Sequence, residues 1–522
     1  MLTPGLTLIL LSLQVPDAPK SPPGLGTTSE FETTLNERLG KGVLPEQNAV
    51  VLLWKAFGPT AGNVRGMPAE YFRWLGTAEP QKSGQYFVTL SRYLRDQAML
   101  DSEATIDFMV SKEPYLSKRP WTAADIPHAA AWLAANEKPL SVAIEATKRS
   151  KYFNPLVARK TENDPGSLVG VGLGVTQMCR DLTQALTCRA MLRVGEGKLE
   201  DARQDLLACH RLSRLVASGG TLIESLVGFA IEQIAATASL AYVERAKLTA
   251  AQACAHIKDL QAIRPFAQVV DKIDLYERYT CIDTLTMIRH GKIGLLDLLN
   301  DTSAMMEGHG WEWDQKKWDR KLTPQEQKIW DAMDWGIAVQ DSNRWFDRMV
   351  GALRLKDRLD RKTALDKIEE ERKPLKRTYP TAAKLLEDAS AKNPPDKAIV
   401  QIVGEIVFSR QIPSARKVHD AVERAEQVHR NLQVVFALAA YRSDEGHYPA
   451  KLASLSPKYL ATIPGDIFSG QGLIYKPEGA GYVLYSVGLN GKDDLGRSTD
   501  DVPPADDIRV RMPLPELKQS SN

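Results

Sequence analysis

The sequence lacks a charge of either sign in excess. Its 522 residues carry 67 Lys and Arg against 65 Asp and Glu, a formal net charge of +2. A general nucleic-acid coat needs a basic surplus to displace counterions, so that class is excluded and no nucleic-acid partner is expected. Cysteine is scarce as well. Cys179, Cys188, Cys209, Cys254 and Cys281 form no C-x-x-C pair, and an odd count leaves at least one thiol unpaired. All five sit among helix-forming residues and read as small buried hydrophobes. A Cys179–Cys188 bridge stays open for an exported chain. The eight histidines are scattered, and none stands at ligand spacing beside two cysteines, which argues against a zinc centre. G-x-S-x-G, H-E-x-x-H and the phosphate-loop pattern are all absent. Gly166 to Val175 offers only Gly170-x-Gly172-x-Gly174 after a turn, so it reads as a packing segment at a helix start. No catalytic residue and no organic cofactor are expected, and a non-enzyme is favoured.

Long apolar runs are missing too. Gly5 to Val15 spans about ten residues, against the roughly 20 that cross a bilayer. It has the length of a signal-peptide core, although the first basic residue is Lys20. The expectation is export to the periplasm or cell envelope, or a cytoplasmic location if the run is no signal. The best interior stretch, Ala398 to Phe408, contains Gln401 and Glu405 and is also too short, so no transmembrane anchor is expected.

What is present is an ordinary globular composition, with 25% charged and 43% hydrophobic residues. Punctuation divides the chain into a candidate signal peptide and tether (1–34), a mainly helical region (35–165), a central helical region (166–397) and a C-terminal module (398–522). Asn48 to Phe57 is an apolar helix stopped by Gly58-Pro59. Pro139 interrupts the helical stretch 120–150. Leu182, Leu186, Ala190 and Leu192 form one helical stripe, and Leu199, Ala202, Leu206, Cys209 and Leu212 form a second. Their link, Gly197 to Ala202, resembles the turn of a tetratricopeptide repeat; a single unit cannot stack into a solenoid, so it reads as a helical hairpin. Trp311, Trp313, Trp318, Trp330, Trp335 and Trp345 concentrate in the middle and read as core packing. Lys392 to Asp396 is a candidate boundary.

The C-terminal module has a definite order. Ser414 to Arg442 is one long amphipathic helix, with Val418, Ala421, Ala425, Val428, Leu432, Val435 and Leu438 three or four apart. A short helix at Ala450 to Leu455 follows. Leu473–Lys476 and Tyr482–Val487 read as strands joined across Glu478-Gly-Ala-Gly481, with a further edge strand at Ile508 to Arg511. The fold class is therefore α+β: a mostly helical body with a long helix and a small antiparallel sheet at its end.

This order resembles the periplasmic module of type II secretion pseudopilins, above all the major pseudopilin. The residues that carry the resemblance are Ala440-Tyr-Arg442, Gly446-His-Tyr-Pro449, Leu452, Leu455, Tyr459-Leu460, Ile463-Pro464-x-Asp466, Tyr485-Ser-Val-Gly488 and Gly491. They cover about 80 residues of the chain. In that family the long helix is continuous with an N-terminal membrane helix, through which the subunits polymerise. Here some 400 residues of other protein precede it, so a pilus is not implied. The remainder resembles uncharacterised exported multidomain proteins of planctomycete-type bacteria.

The resemblance also implies calcium in the last loop. That region holds Asp493, Asp494, Asp500, Asp501, Asp506 and Asp507. Calcium takes several oxygen ligands, and close carboxylates repel unless a cation or water intervenes. The expected ligands are Asp493, Asp494 and Asp507, with the Leu489 carbonyl. The functional expectation is a non-enzymatic envelope or exported protein with protein partners, serving assembly or secretion-related scaffolding. The alternative is an exported hydrolase acting on polysaccharide or peptide, with the tryptophan-rich middle as its cleft.

Overall fold

The computed structural model describes residues 23–59, 66–96, 98, 101–161, 166–290, 324, 328, 331–378, 397–409 and 412–516. Among them the chain is mostly helical with one small antiparallel sheet, the α+β class expected from sequence. Gly5–Val15, Trp311, Trp313, Trp318, Trp330 and the boundary at 392–396 lie outside the described residues. The helices are α1 (Thr28–Leu39), α2 (Ala49–Phe57), α3 (Ala69–Leu75), α4 (Leu90–Asp96), α5 (Ser102–Ser111), α6 (Glu113–Leu116), α7 (Pro127–Ala135), α8 (Glu137–Thr147), α9 (Gly174–Gly195), α10 (Leu199–Val216), α11 (Leu222–Arg245), α12 (Ala250–Ala262), α13 (Val269–Lys272), α14 (Arg278–Arg289), α15 (Trp335–Leu353), α16 (Arg358–Thr378), α17 (Lys397–Ser409) and α18 (Ile412–Glu445). The strands are β1 (Ile474–Glu478), β2 (Gly481–Ser486) and β3 (Ile508–Met512).

Local chemistry sets the helix starts. Thr27, Thr221 and Thr249 stand three residues before Glu30, Glu224 and Gln252. In each case the threonine hydroxyl accepts from the later N–H, and the Glu or Gln side chain accepts from the threonine N–H. Gly58, at φ +75°, ends α2 where an L side chain would be strained. The break expected at Pro139 falls instead at Asn136, between α7 and α8. Asn136 anchors that corner, accepting from the Val88 N–H at 2.8 Å and donating to the Val88 carbonyl at 3.1 Å. Pro139 sits in the first turn of α8, where its missing N–H removes no helical hydrogen bond.

The chain forms two compact units. One comprises Met1–Lys41 with Asp274–Glu405. Within it the buried Arg278 pairs with Asp274 at 2.6 Å and with Asp347 at 2.8 Å, joining α14 to α15. Thr28 on α1 donates to Asp283 on α14 at 2.7 Å. Trp335 and Trp345 on α15 are buried in this unit, as packing residues should be.

The other unit comprises Gly42–Ile273 with Ile406–Asn522. Here α9, α10 and α11 pack on one another, and α18 lies against α11 and α12. The link after α9 turns at Gly197, φ +77°, and gives the expected helical hairpin. Sequence reading foresees no interior run long and apolar enough for a membrane, yet α11 meets that description. Most of α11 is buried against its neighbours, and an all-round apolar surface is what a core helix requires. All five cysteines are free. Cys179 and Cys188 share one continuous helix nine residues apart, about 13 Å along the axis, so the bridge left open by sequence cannot form.

The long helix, expected over Ser414 to Arg442, runs from Ile412 to Glu445. From Leu432 to Leu438 it is buried on nearly every side, because the helical body covers one flank and the sheet covers the other. The sheet order is β1-β2-β3, all antiparallel, with Ile474 opposite Tyr485 and Ser486 opposite Ile508. Gly479 and Ala480 make the two-residue hairpin turn, Gly479 at φ +55°. All six residues of β2 are buried.

Candidate cation site in the acidic loop

The candidate site is the loop joining β2 to β3, residues 487–507. Polar side chains on the long helix and in the preceding turn hold both of its ends. Asp466, the acid of the Ile463-Pro464-x-Asp466 pattern, is buried. It accepts from the Ser486 hydroxyl at 2.7 Å and from the Val487 N–H at 3.0 Å, so the loop leaves β2 in a fixed direction. Gln427 on α18 accepts from the Ile467 N–H at 2.8 Å. One helical turn on, Asn431 donates to the Ile508 carbonyl at 3.0 Å, where the loop rejoins β3. Gly488, at φ +66°, lets the chain pass the Asp506 carbonyl, which a Cβ would strike.

Inside this frame the acids separate into two sets. Asp493 and Asp501 are engaged. Asp493 accepts from the Tyr485 hydroxyl at 3.0 Å and from the Leu495 N–H at 2.8 Å. Asp501 accepts from the Ser498 N–H at 2.7 Å and pairs with Arg509 at 2.8 Å. Those contacts, the Ser498 N–H foremost, hold Asp501 below the usual carboxylate range. Asp500 is exposed.

The second set is Asp494, Asp506 and Asp507, whose carboxylate oxygens lie within 4.8 Å of one another. Each is positioned by one oxygen. Asp494 accepts from the Asn490 amide at 2.8 Å, Asp506 from the Asn490 N–H at 2.8 Å, and Asp507 from the Gly496 N–H at 2.8 Å. The other oxygens, Oδ1 of Asp506 and of Asp507, are buried and meet no hydrogen-bond donor. Asp507 is fully buried, and burial raises it above the ordinary carboxylate range; the Gly496 and Asp494 N–H groups oppose the rise, and the Asp494 and Asp493 charges add to it. Arg497 stands 3.7 Å from Asp494, a loose pair.

Of the four ligands expected from sequence, the fold thus brings Asp494 and Asp507 together. It adds Asp506 and turns Asp493 toward Tyr485. Leu489 packs its side chain on Phe468, Val487 and Ile508 at the base of the loop. Two carboxylate oxygens with no donor, in a loop tied at both ends, form an arrangement that a hard cation would complete. The residues present fit calcium: three carboxylates provide charge, and backbone carbonyls and water can fill the remaining positions.

A second ionisable cluster lies in the helical body, and sequence reading passed over it. His210 on α10, Glu232 on α11 and His429 on α18 converge although 197 residues separate Glu232 from His429. All three are buried. On α18, His419, Asp420 and Glu423 also share a turn, half-exposed and engaged with neighbours. Comparison with family models, curated proteins and solved structures finds no match for this chain.

Proposed function

We propose that the protein is a non-enzymatic assembly or scaffolding component, exported or of the cell envelope, whose pseudopilin-like C-terminal module is completed by calcium. The observation that carries this reading is the pair of buried, donor-free oxygens on Asp506 and Asp507 beside Asp494. A buried carboxylate oxygen with no partner is costly, and a cation removes that cost while cancelling the repulsion of three acids. The second support is the frame: a long helix and a three-stranded sheet fix the loop through Gln427, Asn431 and Asp466, as a docking module of fixed shape requires. Protein partners follow from the scaffolding role.

The test is a thermal-unfolding series at neutral pH in chelator, in magnesium and in millimolar calcium. The proposal expects calcium to raise the midpoint and Asp507→Asn to remove the gain. An unchanged midpoint in calcium, or an equal gain in Asp507→Asn, removes the metal from the reading.

A further inference from the structure

The buried cluster carries an inference of its own, independent of calcium. Glu232 Oε2 accepts from Arg214 at 2.7 Å. Its Oε1 lies 3.1 Å from His210 Nδ1 and 3.0 Å from His429 Nδ1. Burial pushes Glu232 up, but Arg214 and then His210 pull it further down, so it stays ionised. The opposite ring nitrogens differ. His210 Nε2 lies 3.1 Å from the Ser239 hydroxyl, which can donate to a bare nitrogen. His429 Nε2 lies 3.1 Å from the Leu260 carbonyl, which can only accept. An ionised carboxylate also only accepts. A neutral His429 therefore sets one lone pair against an oxygen whichever tautomer it takes; only the imidazolium satisfies both contacts.

We propose that protonation of His429 is a clasp that fastens the long helix α18 to α11 and α12, closed by acid and loosened as pH rises. His429 lies two residues from both Gln427 and Asn431, about 200° round the helix from each. The helix turn that carries the clasp on one flank holds the acidic loop on the other.

The elements around α18 carry these charged and titratable groups. Helix α10 presents His210 and Arg214, α11 presents Glu232, and α12 presents His256. On α13, Lys272 is turned to the Ala217 carbonyl and the Ser225 hydroxyl. Within α18 itself, Glu426 and Arg430 form a partly exposed pair at 3.7 Å. From the sheet, Arg509 is held by Asp501. A divalent ion among His210, Glu232 and His429 would also relieve the conflict. Arg214 already neutralises Glu232, so such an ion would enter the core without a counter-charge, whereas the proton brings a single positive charge.

The clasp needs an N–H on each ring nitrogen of His429, one toward Glu232 and one toward the Leu260 carbonyl, so its contribution fades as pH rises. His210 and His256 are held neutral by burial and act in the opposite sense. The experiment is ¹⁵N-histidine NMR and amide hydrogen exchange on the full chain from pH 6.5 to 9, with His429→Gln to assign the signal. The expected result is protons on both nitrogens of His429 at the acid end. As that proton leaves, opening of α18 near Gln427–Leu432, corrected for intrinsic exchange, rises by up to tenfold per pH unit, and His429→Gln lacks this rise. A bare ring nitrogen at pH 6.5, pH-independent protection, or a His429 signal that moves with chelator or added zinc overturns the proposal. If His429→Gln fails to fold, the wild-type spectrum and exchange series decide alone.

Discussion

Two carboxylate sites in the same unit solve the problem of burial in opposite ways. Glu232, in the helical body, meets Arg214, His210 and His429, and each of its oxygens accepts from nitrogen. Asp506 and Asp507, in the terminal loop, leave an oxygen each without a donor. The first site is complete with protein groups alone, and removing one group should expose the cost of all the rest. The second is unfinished, and removing one acid should cost little or even help when no cation is present. The contrast separates a buried ion pair from the proposed cation site where residue type alone does not.

The largest effect should come from breaking the complete site. Arg214 also stacks on Phe266 with its guanidinium 3.6 Å from the ring centre. Arg214→Met leaves Glu232 buried beside two histidines without its main partner, and should cost about 3–5 kcal/mol in chemical denaturation. Replacing Arg214, Glu232 and His210 together by apolar residues should recover much of that loss, since the penalty belongs to the unpaired charge.

Next comes the frame of the unfinished site. Asp466→Ala removes acceptors from Ser486, Val487, Phe468 and Ser469. It should cost about 2–3 kcal/mol and weaken any response to calcium. Calcium itself, at a hundred times its dissociation constant, should add about 2.7 kcal/mol. In chelator Asp506→Asn should be neutral or slightly stabilising, because it relieves repulsion among the three acids.

On acid stability the two regions have opposite signs. Burial lowers His210, and lowers His256 further. The unfolded chain takes up protons below about pH 6.5 that these folded side chains refuse. Their contribution is therefore present above that pH and lost as pH falls, by up to about 1.4 kcal/mol per unit for each histidine. Burial raises Asp507, which therefore titrates the other way: the folded carboxyl holds its proton longer than the unfolded one, and mild acid relieves the loop. His256→Phe should flatten the acid limb, since that ring already stacks on Phe436 at 4.1 Å and its nitrogens meet no partner.

The same contrast explains what the sequence could and could not disclose. The long helix was legible because Val418 to Leu438 repeat at three and four, and the hairpin because Gly479 and Ala480 separate two runs of strand-forming residues. The acidic loop was legible because its acids are close in sequence. The grouping of Asp506, rather than Asp493, with Asp494 and Asp507 was not, because it depends on Tyr485 and Leu495 engaging Asp493 once the sheet has formed. His210, Glu232 and His429 were illegible for a plainer reason. They sit on three helices, and only the packing of α18 onto α10–α12 joins them. Each alone looks like a polar residue on a helix, the commonest thing in the chain. Helix α11 is legible as a helix from Thr221 onward, but not as a long apolar run, because Glu224, Glu232 and Gln233 interrupt its sequence.

The most direct measurement is a calcium titration followed by calorimetry on the full chain, wild type beside Asp506→Asn with Asp507→Asn. The account predicts saturable binding of one calcium ion per chain in the wild type, with a matching rise in thermal midpoint, and neither in the double variant. Binding of equal strength in both proteins, or none in either, would contradict it.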